Sequence, residues 1–314
     1  MNKRVALFLG FVILVALAAC GAYDTAPADA TIQGVALRHV TDRSGRTITL
    51  PDEINTIVTL GPSKAEILVG LGFGDRVIAA DSFSADVAGL GANVPRDFGI
   101  TNPDIEYIVN LAPDIVFVVG SSTAEGYNET LSPVSAAGIT VIFMPTSASI
   151  SGIMEDIRFI AAVMGDEQAG ESLISTMLDE IDEIRQIAAT ISEPRTVYFE
   201  VSPAPMMFSL GSGTFLNELI EIAGGINIFA DQEGWINVAD EIILEANPDV
   251  ILTSTDFIDD PVGEIMARPG FGVITAVQNN DVFYIDTASS SRPTHNITKA
   301  LRYIAMYVYP EYFR

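Results

Sequence analysis

The sequence is short of the residues that most often do chemistry on their own, with one cysteine, one tryptophan and two histidines in 314 residues. A single thiol excludes an internal disulfide framework and any multi-cysteine metal or redox centre. Two histidines, of which His39 lies near the N-terminal segment, are too few for the histidine-rich sites that hold bare zinc or manganese. Positive charge is scarce as well, since 16 Lys and Arg stand against 41 Asp and Glu. Such a balance repels nucleic acid and anionic lipid head groups, which are bound through clustered Lys and Arg. No G-x-x-x-x-G-K-[ST] loop for nucleotide phosphates occurs, and no G-x-S-x-G elbow. The stretch SSSRPTHN (289–296) holds serines and a histidine, but His39 is badly placed to complete a triad, and no enzyme is expected.

What is present starts with MNKRVALFLGFVILVALAAC. Lys3 and Arg4 precede an apolar run from Val5 to Ala19 that falls short of the roughly 20 residues a membrane span needs. A charged start, a short apolar middle and a small-residue end are the marks of a secretory signal. LAAC at 17–20 resembles a bacterial lipobox, which implies cleavage after residue 19 and acylation of Cys20. Two or more acyl chains hold a protein on a bilayer stably. The expected location is therefore outside the cytoplasmic membrane, periplasmic or at the cell surface. Residues 20–37 are small, polar and without hydrophobic period, and read as a flexible tether. Loss of residues 1–19 removes two basic side chains and no acid, taking the formal charge from −25 to −27.

A chain this long, with 49% hydrophobic residues, exceeds the size of most single cores. From Thr47 onward strands and helices alternate. TIVTL (56–60), RVIAAD, DIVFVVG and ITVIFM (139–144) are continuous apolar runs, the pattern of a parallel sheet covered on both faces. Ser63 reads as the cap of a helix that Gly70 and Gly72 close. Residues 149–192 form one helical region whose apolar positions step by three and four. PRTVYFEV (194–201) then restarts the strands. Glu218 precedes Gly224 by six residues, as Glu66 precedes Gly72. The expectation is two α/β lobes, 38–148 and 193–314, with parallel-rich sheets flanked by helices, joined by a long helical brace and separated by a ligand cleft.

One pattern is written twice. NPDIEYIVNLAPDIVFV (102–118) and NVADEIILEANPDVILT (237–253) both read Asn-x3-Glu-x6-Pro-Asp. Pro113 and Pro248 end a helix, and the Asp opens the turn into a buried strand. Asn102 and Asn237 read as N-caps. Glu106 and Glu241 then fall in the first turn, where the helix dipole favours a negative charge by about 0.3–1 kcal/mol.

Residues 38–313 resemble the cobalamin and iron-siderophore substrate-binding proteins of ABC importers. The motifs that match in order are DRSGRTITLPDEINTIVTLGPSKAEILVGLG, NPDIEYIVNLAPDIVFV, GSGTFLNELIEIAGGINIF, GWINVADEIILEANPDVI and RPGFGVITAVQNNDVFYID. The resemblance implies that Glu106 and Glu241 dock, one per lobe, on a two-fold permease dimer served by separate ATPase subunits. A monomer carrying no cofactor is expected. The resemblance also assigns cleft loops, and with them candidate ligand-binding residues Lys64, Phe83, Arg96, Met207, Phe208, Trp235, Arg292 and His295. Each of these has a plainer reading as core packing or as a solvated loop residue. The chain departs from the family at Asn296, where a second arginine is usual, and at Lys64, where a small or polar residue is usual. Both departures weaken the case for a strongly anionic ferric chelate. The order of expected ligands is corrinoid, then ferric siderophore, then haem, with His295 or Tyr127 as an axial ligand in the last case. A structural or adhesive surface lipoprotein is the alternative outside transport.

Overall fold

The computed structural model describes residues 38–42, 45–120 and 127–313. The signal, Cys20 and the tether lie outside them, as does the side chain of Tyr127. An antiparallel hairpin, β1 (Arg38–Thr41) and β2 (Thr47–Leu50), comes first. Arg38 donates to the carbonyls of Ala162 and Val163, both at 2.8 Å, and so ties the hairpin to the far end of a later helix.

The N-terminal sheet has four parallel strands in the order β4 (Val77–Ala80), β3 (Ile57–Leu60), β5 (Ile115–Val119) and β6 (Thr140–Met144). The C-terminal sheet, also parallel, runs β12 (Val282–Tyr284), β11 (Val250–Thr253), β7 (Thr196–Glu200) and β9 (Ile226–Asn227). A second small antiparallel sheet pairs β8 (Phe208–Leu210) with β10 (Trp235–Asn237).

Alternate residues of each strand feed different cores. Ile57, Ile115, Phe117 and Ile142 join Val197, Phe199, Val250 and Leu252 in one continuous cluster. The helices packed into it are α1 (Pro62–Gly70), α4 (Ile150–Met164), α5 (Glu167–Ala188), α6 (Phe215–Ile222) and α11 (Ile297–Val308). The opposite face of the N-terminal sheet is covered by α2 (Ile105–Leu111) and α3 (Tyr127–Ala136). The opposite face of the C-terminal sheet is covered by α7 (Asp240–Ala246), α8 (Pro261–Ala267) and α9 (Thr275–Asn279). Strands buried on both faces are mostly apolar, which is why they carry no regular polar alternation.

Helices α4 and α5 are separate. Gly165 ends the first in the left-handed conformation, and the Asp166 side chain caps the second. At 22 residues α5 is about 33 Å long. The turn from β3 into α1 is tight. Gly61 has φ 148°, and a Cβ there would meet Cγ2 of Val119 at 2.0 Å. Helix α1 starts at Pro62, one residue before Ser63, so Ser63 is inside the helix instead of capping it. A proline at the first helical position loses no intrahelical bond, because that N–H has no partner anyway.

The repeated Pro-Asp has the same task in both lobes. Asp114 Oδ2 accepts from the N–H groups of Asn55 and Thr56 and from Thr56 Oγ1, at 2.8 to 2.9 Å. Asp249 Oδ2 accepts from Thr196 N–H and Oγ1, both at 2.8 Å. Each carboxylate thus pins the start of the neighbouring strand. The Asn half of the pattern does not cap. Asp104 caps α2 through Tyr107 N–H, whereas Asn237 belongs to β10 and α7 starts after Ala239 with no side-chain cap. An aspartate two residues further on outcompetes Asn102 for the same orphan donors.

Asp114→Ala and Asp249→Ala should each cost about 1–3 kcal/mol in chemical denaturation, because they orphan the N–H groups at a strand start. Partial burial opposes ionisation of Asp114, but the bonds from Asn55 and Thr56 outweigh it and hold its carboxyl below the usual value. Its stabilisation is therefore complete above the unfolded value of ~3.9 and lost as pH falls through the lower folded value. Asp114→Asn should flatten that acid limb of stability against pH.

Candidate functional site

In open α/β sheets ligands bind outside the carboxyl ends of the strands. Here contacts bring the carboxyl-end loops of the two sheets together. Helix α10 (Thr287–Ser291) and the segment before α11 follow β12, and from there Arg292 reaches into the N-terminal lobe. Its Nη1 lies 2.8 Å from Glu66 Oε1, and its Nη2 lies 2.7 Å from Asp86 Oδ1 and 2.9 Å from the Phe83 carbonyl. Thr294 Oγ1 and Asn296 Nδ2 donate to the other Glu66 oxygen, at 2.8 and 3.0 Å. Burial works against the Arg292 charge, but its hydrogen bonds to Asp86 and Glu66 raise its pKa above the usual arginine value. The arrangement is reciprocated, since Glu218 of α6 accepts from Ile150 N–H at the start of α4, at 3.0 Å. In each direction, a glutamate on the first main helix of one sheet receives the start of the helix leaving the other sheet.

A cavity of about 350 Å³ lies beside this network, lined by Glu66, Asp86, Asp286, Arg292, His295 and Lys299 among others. His295 is half-buried, and desolvation lowers its pKa. Large apolar side chains stand exposed elsewhere along the carboxyl-end loops. Phe83 follows β4, Met206 follows β7 and Phe257 follows β11, while Trp235 opens β10; their exposures run from 53% to 71%. Among the described residues no group of three or more His, Cys, Asp or Glu is arranged to hold a metal ion.

The turn that carries Phe83 is braced from within its lobe. Asp81 is fully buried and accepts from Phe83 N–H through Oδ1 (2.9 Å), and from Gly61 N–H and Ser84 Oγ through Oδ2 (2.8 and 2.9 Å). Burial raises its pKa above the usual carboxyl value, although these donors oppose the shift. Phe98 pairs with Asp81 in an isolated bridge and packs on Tyr107 of α2, ring centroids 5.3 Å apart. In the C-terminal lobe, Val238 N–H donates to the Met207 carbonyl at 3.0 Å, two residues ahead of α7.

Glu106 and Glu241 are both exposed in the first turns of α2 and α7. The two helices cover corresponding outer faces and end alike, with Ala112 and Asn247 in the left-handed conformation just before the proline. The two lobes are thus alike in sheet, in exposed outer helix and in how that helix ends. The family model described as periplasmic binding protein matches residues 57–288. The chain belongs to the periplasmic binding protein family. An uncharacterised ABC transporter substrate-binding lipoprotein of Bacillus subtilis, YvrC, is 30% identical over all of both chains. A cobalamin-binding protein of Halobacterium salinarum is 28% identical over 84% of this chain and 72% of its own. Among solved structures, the haem-binding protein RhuT of Roseiflexus sp. RS-1 superposes with TM-score 0.72 at 26% identity, covering 82% of this chain and 98% of its own.

Within this periplasmic binding protein, several residues expected in the cleft are placed elsewhere. Lys64 is completely buried, with Nζ 3.1 Å from Asp156 Oδ2, and Ser147 Oγ donates to the same oxygen at 2.7 Å. A buried ammonium is retained only with such a partner, so Lys64 is removed from the set. Met207 is 6% exposed and packs in the C-terminal outer core with its sulfur 4.0 Å from Arg268; the exposed methionine is its neighbour Met206. Arg96 donates to the carbonyls of Ala85, Leu90 and Gly91 and staples its own loop. Arg292 is held by protein acids as described. Phe208 is half-buried in β8.

The sequence reading assigned no site role to Glu66 or Asp86, although the matched spacing of Glu66 and Glu218 before glycines was a usable signal. It also missed a buried ion pair at the end of β7. Arg268 binds both Glu200 oxygens, at 2.7 and 3.1 Å, and Glu264 at 2.5 Å. Burial still raises the Glu200 pKa despite that pairing.

The two adjacent methionines should separate cleanly by denaturation. Met207→Ala should cost about 2–5 kcal/mol as a core truncation, and Met206→Ala about 0.5 kcal/mol or less.

Proposed function

We propose that this chain is the lipid-anchored capture component of an ABC importer and that its ligand is a corrinoid held between the lobes. The observation that carries the ligand class is the balance of side chains at the carboxyl-end loops. Phe83, Met206, Trp235 and Phe257 offer exposed aromatic and thioether surface, whereas Lys64, Arg96 and Arg292 all donate to protein acceptors. An aromatic face stacks well on a large flat ring and a thioether adapts to irregular surface. An anionic ferric chelate would need free cations instead. The cobalamin-binding relative in Halobacterium salinarum supports the same class.

Capture, not chemistry, is the task this fold suits. Ligand entering between the lobes favours a slightly closed state whose swing α4 and α5 limit. Glu106 and Glu241, one on each lobe, then meet two equivalent basic pockets of a two-fold permease, and separate subunits spend the ATP. The lipid on Cys20 keeps the protein beside that permease, outside the cytoplasmic membrane.

Isothermal titration with cyanocobalamin, a ferric hydroxamate, a ferric catecholate and haemin tests the ligand class. Cyanocobalamin should bind most tightly, and Trp235→Ala should weaken it about 10-fold, the loss of one stacking anchor. Tightest binding of a ferric chelate would reverse the order. The Glu106→Arg, Glu241→Arg double variant should abolish uptake in cells while its affinity in solution stays that of the wild type. Normal uptake by that variant would remove the docking assignment.

A further inference from the structure

We propose that Arg292 is a positioning residue of the ligand cleft, reaching from the C-terminal lobe to hold the Phe83 turn of the N-terminal lobe in the conformation that meets ligand. This rests on the reading of the cleft given above, but its central contact stands without it.

The turn Ser82–Ser84 is fixed from two sides. From its own lobe, Asp81 takes the Phe83 N–H at 2.9 Å. From the other lobe, Arg292 Nη2 donates to the Phe83 carbonyl at 2.9 Å and to Asp86 at 2.7 Å, while Nη1 anchors on Glu66 at 2.8 Å. One guanidinium thus joins a buried carboxylate, a half-exposed one and the main chain of an exposed aromatic. Its planar fork makes these bonds together, which a lysine cannot. The Arg292 side chain is 13% accessible, and its donors are directed at protein acceptors. The Phe83 ring, by contrast, is 64% exposed. The arginine therefore acts on ligand through the backbone of the residue that offers the apolar surface. Holding that ring in place beforehand removes an ordering cost that ligand would otherwise meet.

Two readouts test this. The first is amide hydrogen exchange of the ligand-free protein. In Arg292→Met, one Glu66 oxygen keeps the bonds from Thr294 and Asn296, while the other loses its arginine donor. Exchange over residues 82–87 should accelerate about 10-fold while β3 and β5 exchange as in the wild type. Asp86→Asn, which touches only the exposed arm, should give a smaller change in the same segment and carries the test if Arg292→Met fails to fold. Unchanged exchange across residues 82–87 overturns the proposal.

The second readout is a double-mutant cycle on cyanocobalamin affinity. Arg292→Met should weaken Kd about 10-fold, and in a Phe83→Ala background it should add almost nothing, since the group it positions is gone. Full additivity would mean that Arg292 meets ligand itself or acts through general stability, and it overturns the proposal. If the wild-type protein binds no cyanocobalamin, the corrinoid reading falls, and the exchange experiment alone decides the role of Arg292.

Discussion

A carboxylate buried at the meeting of two lobes cannot be left alone, and much of this structure follows from how Glu66 is satisfied. Nearly enclosed, it needs donors on both oxygens or it costs several kcal/mol of desolvation. Helix α1 cannot supply them from its own turns. Arg292, Thr294 and Asn296 all come from the segment that follows the last strand of the other sheet. The need of one charge therefore fixes the position of one lobe against the other. Glu218 repeats the solution with a smaller donor set, the Ile150 N–H at the start of α4. A helix N-terminus, with its unsatisfied N–H groups and positive dipole end, is a natural partner for such a carboxylate.

The same constraint shapes what the cleft can accept. Positive charge is scarce in this chain, and near the strand ends Lys64, Arg96 and Arg292 are bound by Asp156, by loop carbonyls, and by Glu66 and Asp86, while Lys299 lines the cavity. Asn296 makes the point at one atom. The usual second arginine there would bring a second charge to Glu66, whereas the amide adds a hydrogen bond to the carboxylate and leaves one guanidinium to balance it. The loops also turn outward the apolar and polarizable surface of Phe83, Met206, Trp235 and Phe257. Three cations have gone into structural contacts, which favours the proposed recognition by shape, stacking and neutral hydrogen bonds.

Strand grammar was legible in the sequence because burial on both faces leaves an apolar run, and six of the eight strands of the two main sheets fall in such runs, whereas the short edge strands β9 and β12 do not. The Pro-Asp half of the repeat was legible for a similar reason, as local chemistry at a fixed place. Which residue caps a helix was not, because Asn102 and Asp104 are both good caps and only the path of the chain decides between them. Adjacent residues were also beyond reach. Met206 and Met207 are the same side chain on opposite sides of a loop, and composition cannot say which is buried. Lys64 and Arg292 were misjudged for one shared reason. Their partners, Asp156, Glu66 and Asp86, lie far away along the chain, and a long-range ion pair leaves no periodic trace.

The exposed helices and the cleft are close neighbours through the backbone of each lobe. In the N-terminal lobe Tyr107, next to Glu106, packs at a tilt against Phe98, which bridges to Asp81, whose carboxylate holds the Phe83 turn. In the C-terminal lobe Trp235 opens the short strand that leads into α7 and Glu241, and Val238 between them is bonded to the Met207 carbonyl. Both routes are short, packed and hydrogen-bonded, and each ends on an exposed aromatic ring. Between Tyr107 and Phe83 the route passes only through Phe98 and Asp81. Spatial continuity of this kind is a route for coupling and not yet a measure of it, because coupling requires two arrangements that both ends bias.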